Sequence, residues 1–262
     1  MPQTSPTMNV MIAAARKAAR ALARDFGEVE NLQVSRKGPS DFVTSADLKA
    51  EKTLFEELSK GRPGYGFLME ERGAVEGSDK THRWIVDPLD GTTNFLHGIP
   101  HFAISIALER EGVIVAGVIY NVARDELFWA EKGQGAYLND KRLRVSGRGE
   151  MRDALIGTGA PFQGRPGQEQ FLEEIGRVVA ASAGVRRMGA ASLDLAYVAA
   201  GRFDGFWERN LNAWDIAAGA VIVREAGGFA KEIDGGDFLK TGAIVAANER
   251  LLALLTKTIR NA

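Results

Sequence analysis

The stretch Trp84-Ile85-Val86-Asp87-Pro88-Leu89-Asp90-Gly91-Thr92-Thr93-Asn94-Phe95 decides the fold around which this chain places its chemistry. The apolar run Trp84–Val86 predicts a buried strand. Pro88 has no N–H and disfavours helix at the residue before it, so we expect the strand to end just after Asp87. Asp90 then lies in the following turn. Both carboxylates can face one point and bind a hard cation such as Mg²⁺, which prefers oxygen ligands.

The residues after Asp90 predict an anion site. Gly91 lets the backbone approach a ligand closely, and a short helix beginning at Thr92 would present free N–H groups and its positive dipole end. A divalent metal beside backbone amides is what a phosphate ester needs. Taken alone, these residues are more typical of an ordinary turn with an Asp cap, so the motif by itself does not decide between the two interpretations.

Two further acidic positions adjoin predicted elements. Glu70-Glu71 follows the apolar run Phe67–Met69, and Asp215 follows Trp214 at the start of an apolar helical run. Taken alone, Asp215 predicts a helix N-cap, because an Asp there satisfies free amides. Together with Asp87 and Asp90, and with the Glu pair counted once, these give four acidic positions that end or begin regular elements.

Composition limits the classes of function. The chain has 262 residues, 45% hydrophobic and 26% charged, with a net charge of −1. This charge balance argues against a nucleic-acid or membrane-surface binder, which would usually show a basic excess. The absence of cysteine excludes disulfides and thiolate chemistry and fits the cytoplasm. We see no signal peptide and no run near the roughly 20 apolar residues of a membrane span.

Hydrophobic periodicity predicts the elements of the first half. An amphipathic helix with a basic outer face is expected over residues 8–26, and a second helix over 44–60. Thr44 and Asp47 fit a capping box at the start of that second helix. Apolar stretches with hairpin-like breaks predict an antiparallel meander over residues 103–137. His97 and His101 are interpreted as loop or packing residues rather than metal ligands.

The second half predicts alternating helices and strands after a Pro/Gly-rich connection, Pro161–Gly167, which we take as the boundary between halves. The expected elements are a helix at 168–182, a strand at 185–188, a helix at 192–200, a strand at 203–208, a helix at 214–226, a strand at 243–247 and a last helix from 249.

Two motifs make a family resemblance specific. Asp87–Phe95, and Trp214–Gly219 followed by Glu225–Gly228, resemble the two signatures of the inositol monophosphatase family. The elements Glu70-Glu71, Thr44–Asp47 and Gly189–Ala191 follow in that family's order and approximate spacing, so the resemblance spans roughly residues 9 to 259. It implies an α/β (α+β) fold in α-β-α-β-α layers, as a single domain over 1–262. Its antiparallel-rich first part is expected at about 8–160 and its smaller α/β second part at 161–262.

The resemblance also implies a set of Mg²⁺ ligands, for two or three ions. Glu70, Asp87 and the Leu89 carbonyl would hold the first ion, and Asp87, Asp90 and Asp215 the second. A more weakly bound third ion is implied near Glu70.

The remaining site residues are likewise implied by the resemblance. The attacking water would sit between Glu70 and the Thr92 hydroxyl, with Asp47, capped by Thr44, behind it. Gly91, Thr92 and Thr93 would grip the phosphate. Polyol recognition would fall to the three positions Ala191, Glu208 and Asp215.

Two departures from the family pattern bear on the substrate. Ser192 replaces a frequent Ala, and Arg209 next to Glu208 could neutralise that carboxylate or add a second anion contact. The favoured function is lithium-sensitive, Mg²⁺-dependent hydrolysis of a small polyol or sugar monophosphate, with myo-inositol 1-phosphate first, by an enzyme expected to be a homodimer. The alternatives are fructose 1,6-bisphosphate, histidinol phosphate or 3′-phosphoadenosine phosphates, or a regulatory binding protein that uses the same fold.

Overall fold

The computed structural model of the protein describes residues 4–28, 34–38 and 41–261, and of 34–38 and 41–43 it describes the backbone alone. Its helices are α1 (Pro6–Phe26), α2 (Ser45–Gly61), α3 (Thr92–Leu96), α4 (Gln168–Ala181), α5 (Ala191–Ala199), α6 (Ala213–Glu225), α7 (Phe238–Thr241) and α8 (Glu249–Arg260).

The strands of the first part are β1 (Val34–Gly38), β2 (Asp41–Thr44), β3 (Gly66–Met69), β4 (Gly73–Val75), β5 (His82–Asp90), β6 (Ala103–Arg110), β7 (Val113–Asn121), β8 (Glu126–Glu131), β9 (Gly135–Leu138) and β10 (Lys141–Arg142). Those of the second part are β11 (Leu155–Thr158), β12 (Gly184–Arg186), β13 (Gly205–Glu208), β14 (Phe229–Glu232) and β15 (Ile244–Ala247).

Two larger sheets organise these strands. The first has eight strands in the order β10-β9-β8-β7-β6-β5-β3-β4, and β3 with β5 is its parallel pair. The second has five strands in the order β12-β11-β13-β15-β14, with β11 parallel to both of its neighbours. Strands β1 and β2 form a separate antiparallel pair. The predicted meander is therefore confirmed, and the second part is the smaller and more mixed one.

Alternating side chains show how the layers stack. Trp84 and Val86 pack with the apolar face of α1 and α2, whereas Ile85 between them packs with α5 and α6. Phe206 of β13 joins that same central core, and Trp207 packs on the other side with α4 and α8. Because side chains of a strand alternate between faces, both sheets are covered on each side. The layers run α-β-α-β-α, as expected.

Helix α6 lies at the centre, which explains why it is apolar all round. A Cβ added at Gly219 would lie 2.5 Å from Leu195 Cβ, and one added at Gly117 of β7 would lie 2.7 Å from the Ala218 carbonyl oxygen. These distances are shorter than any normal contact, so the two glycines let α5, α6 and the large sheet approach closely. Buried apolar groups on all sides stabilise α6 by the hydrophobic effect.

Several predicted boundaries shift in the structure. Strand β11 already belongs to the second sheet, so the change of sheet lies before Pro161–Gly167, between β10 and β11. Strands β11 and β14 and the short helix α7 were not expected from the sequence. Among the described residues, no helix combines the length and the apolar character required to cross a bilayer.

Candidate active site

The first motif forms a bulged strand end. Asp87 pairs with Ser105 of β6 and Asp90 with Ala103, so three steps along β5 oppose two along β6. Pro88, which cannot donate to a ladder, lies within this bulge. The expectation that the strand ends after Asp87 is therefore wrong: β5 continues to Asp90.

Gly91 turns the chain from β5 into α3. Its φ is +90°, and an added Cβ would lie 3.0 Å from the His101 carbonyl oxygen, so a larger residue would be strained there. Helix α3 begins at Thr92 as predicted, and Thr92 and Thr93 line the same cleft as the acidic residues.

Most of the predicted site residues converge on this one cleft. It is lined by Glu70, Asp87, Leu89, Asp90, Gly91, Thr92, Thr93, Ala191, Glu208 and Asp215. Glu70 follows β3, and its N–H donates to the Val86 carbonyl at 3.2 Å. Asp215 is the third residue of α6 and accepts the Asn212 N–H at 2.7 Å, so Asn212 is the N-cap and the cap interpretation of Asp215 is wrong.

Glu70, Asp87, Asp90 and Asp215 form what we call the acidic wall of the cleft. Burial and mutual repulsion dominate its electrostatics. Burial, reinforced by the charges of Glu70, Asp90 and Asp215, raises the pKa of Asp87 well above its usual range. Burial and the Asp90 charge do the same to the pKa of Asp215. Burial raises the pKa of Asp90 to about 6, although donors at Ser192 oppose the shift. Like charges held together in this way favour a multivalent cation.

The donor set fits a hard divalent cation, because carboxylate and carbonyl oxygens are its preferred ligands. Asp87 is only 2% exposed and its Oδ1 accepts the Leu89 N–H at 2.8 Å, which fixes that carboxylate. Within the part of the chain that the structure describes, no three acidic or histidine side chains form a preassembled metal cluster. The case for metal binding therefore depends on the oxygen ligands that these residues offer and on the repulsion between their charges.

Thr44, Asp47 and Thr92 form a hydrogen-bonded chain behind the cleft. The Thr44 N–H donates to Asp47 Oδ2 at 2.9 Å, and the Thr44 hydroxyl donates to the same oxygen. These bonds confirm the capping box. The Thr92 hydroxyl lies 3.2 Å from Asp47 Oδ1 and 3.0 Å from the Leu89 carbonyl oxygen. Burial raises the pKa of Asp47. The fold thus brings Asp47 and Thr92 together, although they are 45 positions apart in the chain.

Glu208 lines the same cleft and is the last residue of β13. A Cβ on Gly159 would lie 1.8 Å from Glu208 Oε1, so only glycine leaves room for this carboxylate. Burial and the Asp90 charge raise its pKa to about 8, against the lowering effect of Arg187 and Arg165. Both arginines line the cleft, and neither was predicted.

Arg209 does not neutralise Glu208. Its guanidinium instead pairs with Glu174 at 2.8 Å and with Asp234 at 2.5 Å. Glu174 is buried and also accepts the Trp207 indole N–H at 3.1 Å. The suggestion that Arg209 neutralises Glu208 is therefore wrong, and its guanidinium is committed to ion pairs with α4 and with the loop after β14.

Sequence reasoning noted Ser192 only as a departure from the family pattern and missed that it holds Asp90. Its N–H donates to Asp90 Oδ2 at 2.8 Å and its hydroxyl donates to the same oxygen. One oxygen of Asp90 is thereby held at the start of α5, 102 residues away along the chain. Asp194, two residues further on, is 1% exposed and adds a buried carboxyl near Glu208 and Asp90.

The two loop histidines are not among the residues that line the cleft. His97 is exposed. His101 is buried, with its ring 5.8 Å from that of Tyr197, and burial lowers its pKa to about 4.

The sequence is similar to known proteins over almost its whole length. The sequence model of the inositol monophosphatase family matches residues 3–262. An inositol-1-monophosphatase of Mesorhizobium japonicum is 64% identical over 257 residues, covering 98% of this chain and 97% of that protein. A protein of Pseudomonas aeruginosa named Nus factor SuhB is 45% identical, covering 97% of this chain and 96% of its own length.

Two solved structures are similar to this chain over almost its whole length. The extragenic suppressor protein suhB from Bartonella henselae superposes with a TM-score of 0.96 at 58% identity, covering 98% of this chain and 100% of that one. An inositol monophosphatase named SaIMPase-II, solved with inositol monophosphate bound, superposes with a TM-score of 0.79 at 26% identity, covering 97% of this chain and 92% of that one.

Proposed function

The chain belongs to the inositol monophosphatase family and is a phosphoric monoester hydrolase, and from that premise we propose that it hydrolyses myo-inositol 1-phosphate to inositol and phosphate with Mg²⁺. The observation that carries the proposal is the convergence of Glu70, Asp87, Asp90 and Asp215 with the Gly91–Thr93 turn in one cleft. Relatives named for this activity at 60–64% identity support it.

Two or three Mg²⁺ ions would be held by the acidic wall. Glu70, Asp87 and the Leu89 carbonyl would hold one, and Asp87, Asp90 and Asp215 another. Bound divalent cations supply charge neutralisation of the phosphoryl oxygens and lower the pKa of water. The raised pKa values of Asp87 and Asp215 support this assignment, because cations would relieve the repulsion that contributes to them.

The phosphate would be oriented by backbone amides. Gly91, Thr92 and Thr93 stand where β5 turns into α3, and amides of a first helical turn have no partner within the helix. Bound there, the phosphate lies beside Glu70 and the Thr92 hydroxyl. These two groups would orient the attacking water, and Asp47, fixed by Thr44, would hold the Thr92 hydroxyl and its proton.

The polyol would be recognised where Glu208 lines the cleft. Glu208 projects there against Gly159 and can exchange hydrogen bonds with ring hydroxyls. Ala191 and Asp215, which line the same cleft, would complete the contact surface.

The remaining features of the proposal come from the family. We expect a homodimer that is inhibited by Li⁺, acting in the cytoplasm, where a chain without cysteine needs no oxidising compartment. Fructose 1,6-bisphosphate, histidinol phosphate and 3′-phosphoadenosine phosphates remain alternative substrates. A regulatory binding role is compatible with catalysis, and some relatives are named Nus factor.

The test is a phosphate-release screen with Mg²⁺ over myo-inositol 1-phosphate and the three alternative substrates. The proposal predicts the highest kcat/KM on myo-inositol 1-phosphate and no turnover in EDTA. A higher kcat/KM on any of the other three would reassign the substrate while leaving the reaction class in place.

A further inference from the structure

Helix α2 carries two buried carboxylates on one face. Asp47 and Glu51 are four residues apart, which places them one above the other on a helix. They are 0% and 4% exposed, respectively. Asp47 accepts from Thr92, as described above, whereas no role has so far been given to Glu51. A buried carboxylate is retained only where it is paired and hydrogen-bonded, so its partners indicate what it does.

Glu51 binds the turn that follows β3. Its Oε2 accepts the Glu71 N–H at 2.8 Å and the Arg72 N–H at 3.2 Å. The Arg72 guanidinium lies 3.8 Å from Glu51 Oε1 and 4.3 Å from the centroid of the Phe55 ring. Two consecutive backbone amides on one carboxylate oxygen make charge-assisted bonds, which are stronger than neutral ones.

That turn carries Glu70. The N–H of Glu70 donates to the Val86 carbonyl at 3.2 Å, one residue before Asp87. The backbone of the turn is thus fixed by β5 on one side of Glu70 and by Glu51 on the other. We propose that Glu51 is a positioning residue that sets the place of the Glu70 carboxylate in the active site. The proposal rests on the function proposed above for Glu70.

Two side chains of α2 each hold one part of the site. Asp47 holds the Thr92 hydroxyl, at 3.2 Å, and Glu51 holds the turn of Glu70. Thr92 and Glu70 are the two groups proposed to orient the attacking water. One rigid helix of 17 residues therefore sets the separation between them. A displacement of about 1 Å at a reacting group can lower a rate by roughly 100-fold, so loss of the Glu51 anchor should act mainly on kcat.

Three variants test this. Glu51→Ala removes the hydrogen bonds from both backbone N–H groups. We expect kcat on myo-inositol 1-phosphate to fall about 10- to 100-fold, with KM changed less than about 3-fold. Mg²⁺ affinity, measured by calorimetry without substrate, should fall as well. Glu51→Gln keeps an acceptor oxygen for the two amides and should restore kcat to within about 5-fold. Ala50→Gly is the matched control, because it weakens α2 without touching the turn and should lower Tm alone.

The outcomes separate the explanations. If Glu51→Ala lowers Tm as Ala50→Gly does and spares kcat and Mg²⁺ affinity, Glu51 is only structural and the proposal is overturned. If Glu51→Ala does not fold, Glu51→Asp, whose shorter carboxylate cannot span to both amides, carries the same expectation. Glu70→Gln is measured alongside. Full activity in Glu70→Gln would refute the proposed role of Glu70 itself, whereas loss there with full kcat in Glu51→Ala would refute only the role of Glu51.

Discussion

Replacing Glu208 by Gln should separate recognition of the polyol from chemistry at the phosphate. Glu208 lies at the end of β13, against Gly159, and lines the same cleft as Glu70. The comparison is made above pH 8, where Glu208, with a pKa of about 8, is ionised. A hydrogen bond to a charged group contributes about 1.5–3 kcal/mol, and each 1.36 kcal/mol is a factor of ten. We therefore expect kcat/KM for myo-inositol 1-phosphate to fall roughly 10- to 150-fold.

The assay compares two substrates. p-Nitrophenyl phosphate offers no ring hydroxyls, so its kcat/KM should stay close to that of the wild type in Glu208→Gln. Gly159→Ala provides an independent perturbation, because the new Cβ would stand 1.8 Å from Glu208 Oε1 and force the carboxylate to move. Glu126→Gln, which removes a carboxylate paired with Arg202 away from the cleft, is the matched control and should change neither substrate.

Two results would refute this reasoning. Equal losses on both substrates would place Glu208 in the chemistry or in the folding of the site. Unchanged kcat/KM on both would leave Glu208 without a role in recognition.

Three further predictions follow from contacts at the site. Ser192→Ala removes one of two donors to Asp90 Oδ2 and should raise the Mg²⁺ concentration for half-maximal activity about 10- to 100-fold; an unchanged Mg²⁺ titration would contradict this. Thr92→Ala should lower kcat by on the order of 10²- to 10⁴-fold, and an effect confined to KM would contradict its role with the water. In EDTA, the folded protein retains protons on Asp90 and Glu208, with pKa values of about 6 and about 8, that the unfolded chain releases near 3.8 and 4.5. His101, whose pKa burial lowers from 6.5 to about 4, acts in the opposite sense below pH 6.5. Stability should therefore fall as the pH rises from about 6.5 to 8.5, and a Tm that rises over this interval would contradict those shifts.

The sequence predicted most elements because their patterns are local. The apolar spacing of Met8, Met11 and Leu22 reports one face of α1, and these residues are buried as expected. The alternation after Gln168 likewise gave the order of helices and strands in the second part. Boundaries were less accurate where a neighbouring strand decides them. Pro88 signals a strand end on its own, but pairing with β6 carries β5 through the bulge to Asp90.

The acidic wall could be predicted because its members stand in motifs, whereas the residues that hold them could not. The bond from Ser192 to Asp90 spans 102 positions and that from Glu51 to Glu71 spans 20, and no periodicity signals either pairing. Arg209 shows the opposite error. It adjoins Glu208 in sequence, but it lies just past the end of β13 and its guanidinium pairs with Glu174.

The central claim is that clustered carboxylates bind Mg²⁺ to hydrolyse a phosphate ester, and Asp90→Asn tests it most directly. The amide keeps the shape of the side chain and its acceptor for Ser192 while removing a ligand charge. The measurement is phosphate release from myo-inositol 1-phosphate at saturating Mg²⁺, beside wild type with and without EDTA. The account predicts nearly complete loss of turnover in folded Asp90→Asn and in EDTA-treated wild type. Turnover within a few-fold of wild type in the variant, or turnover unaffected by EDTA, would contradict it.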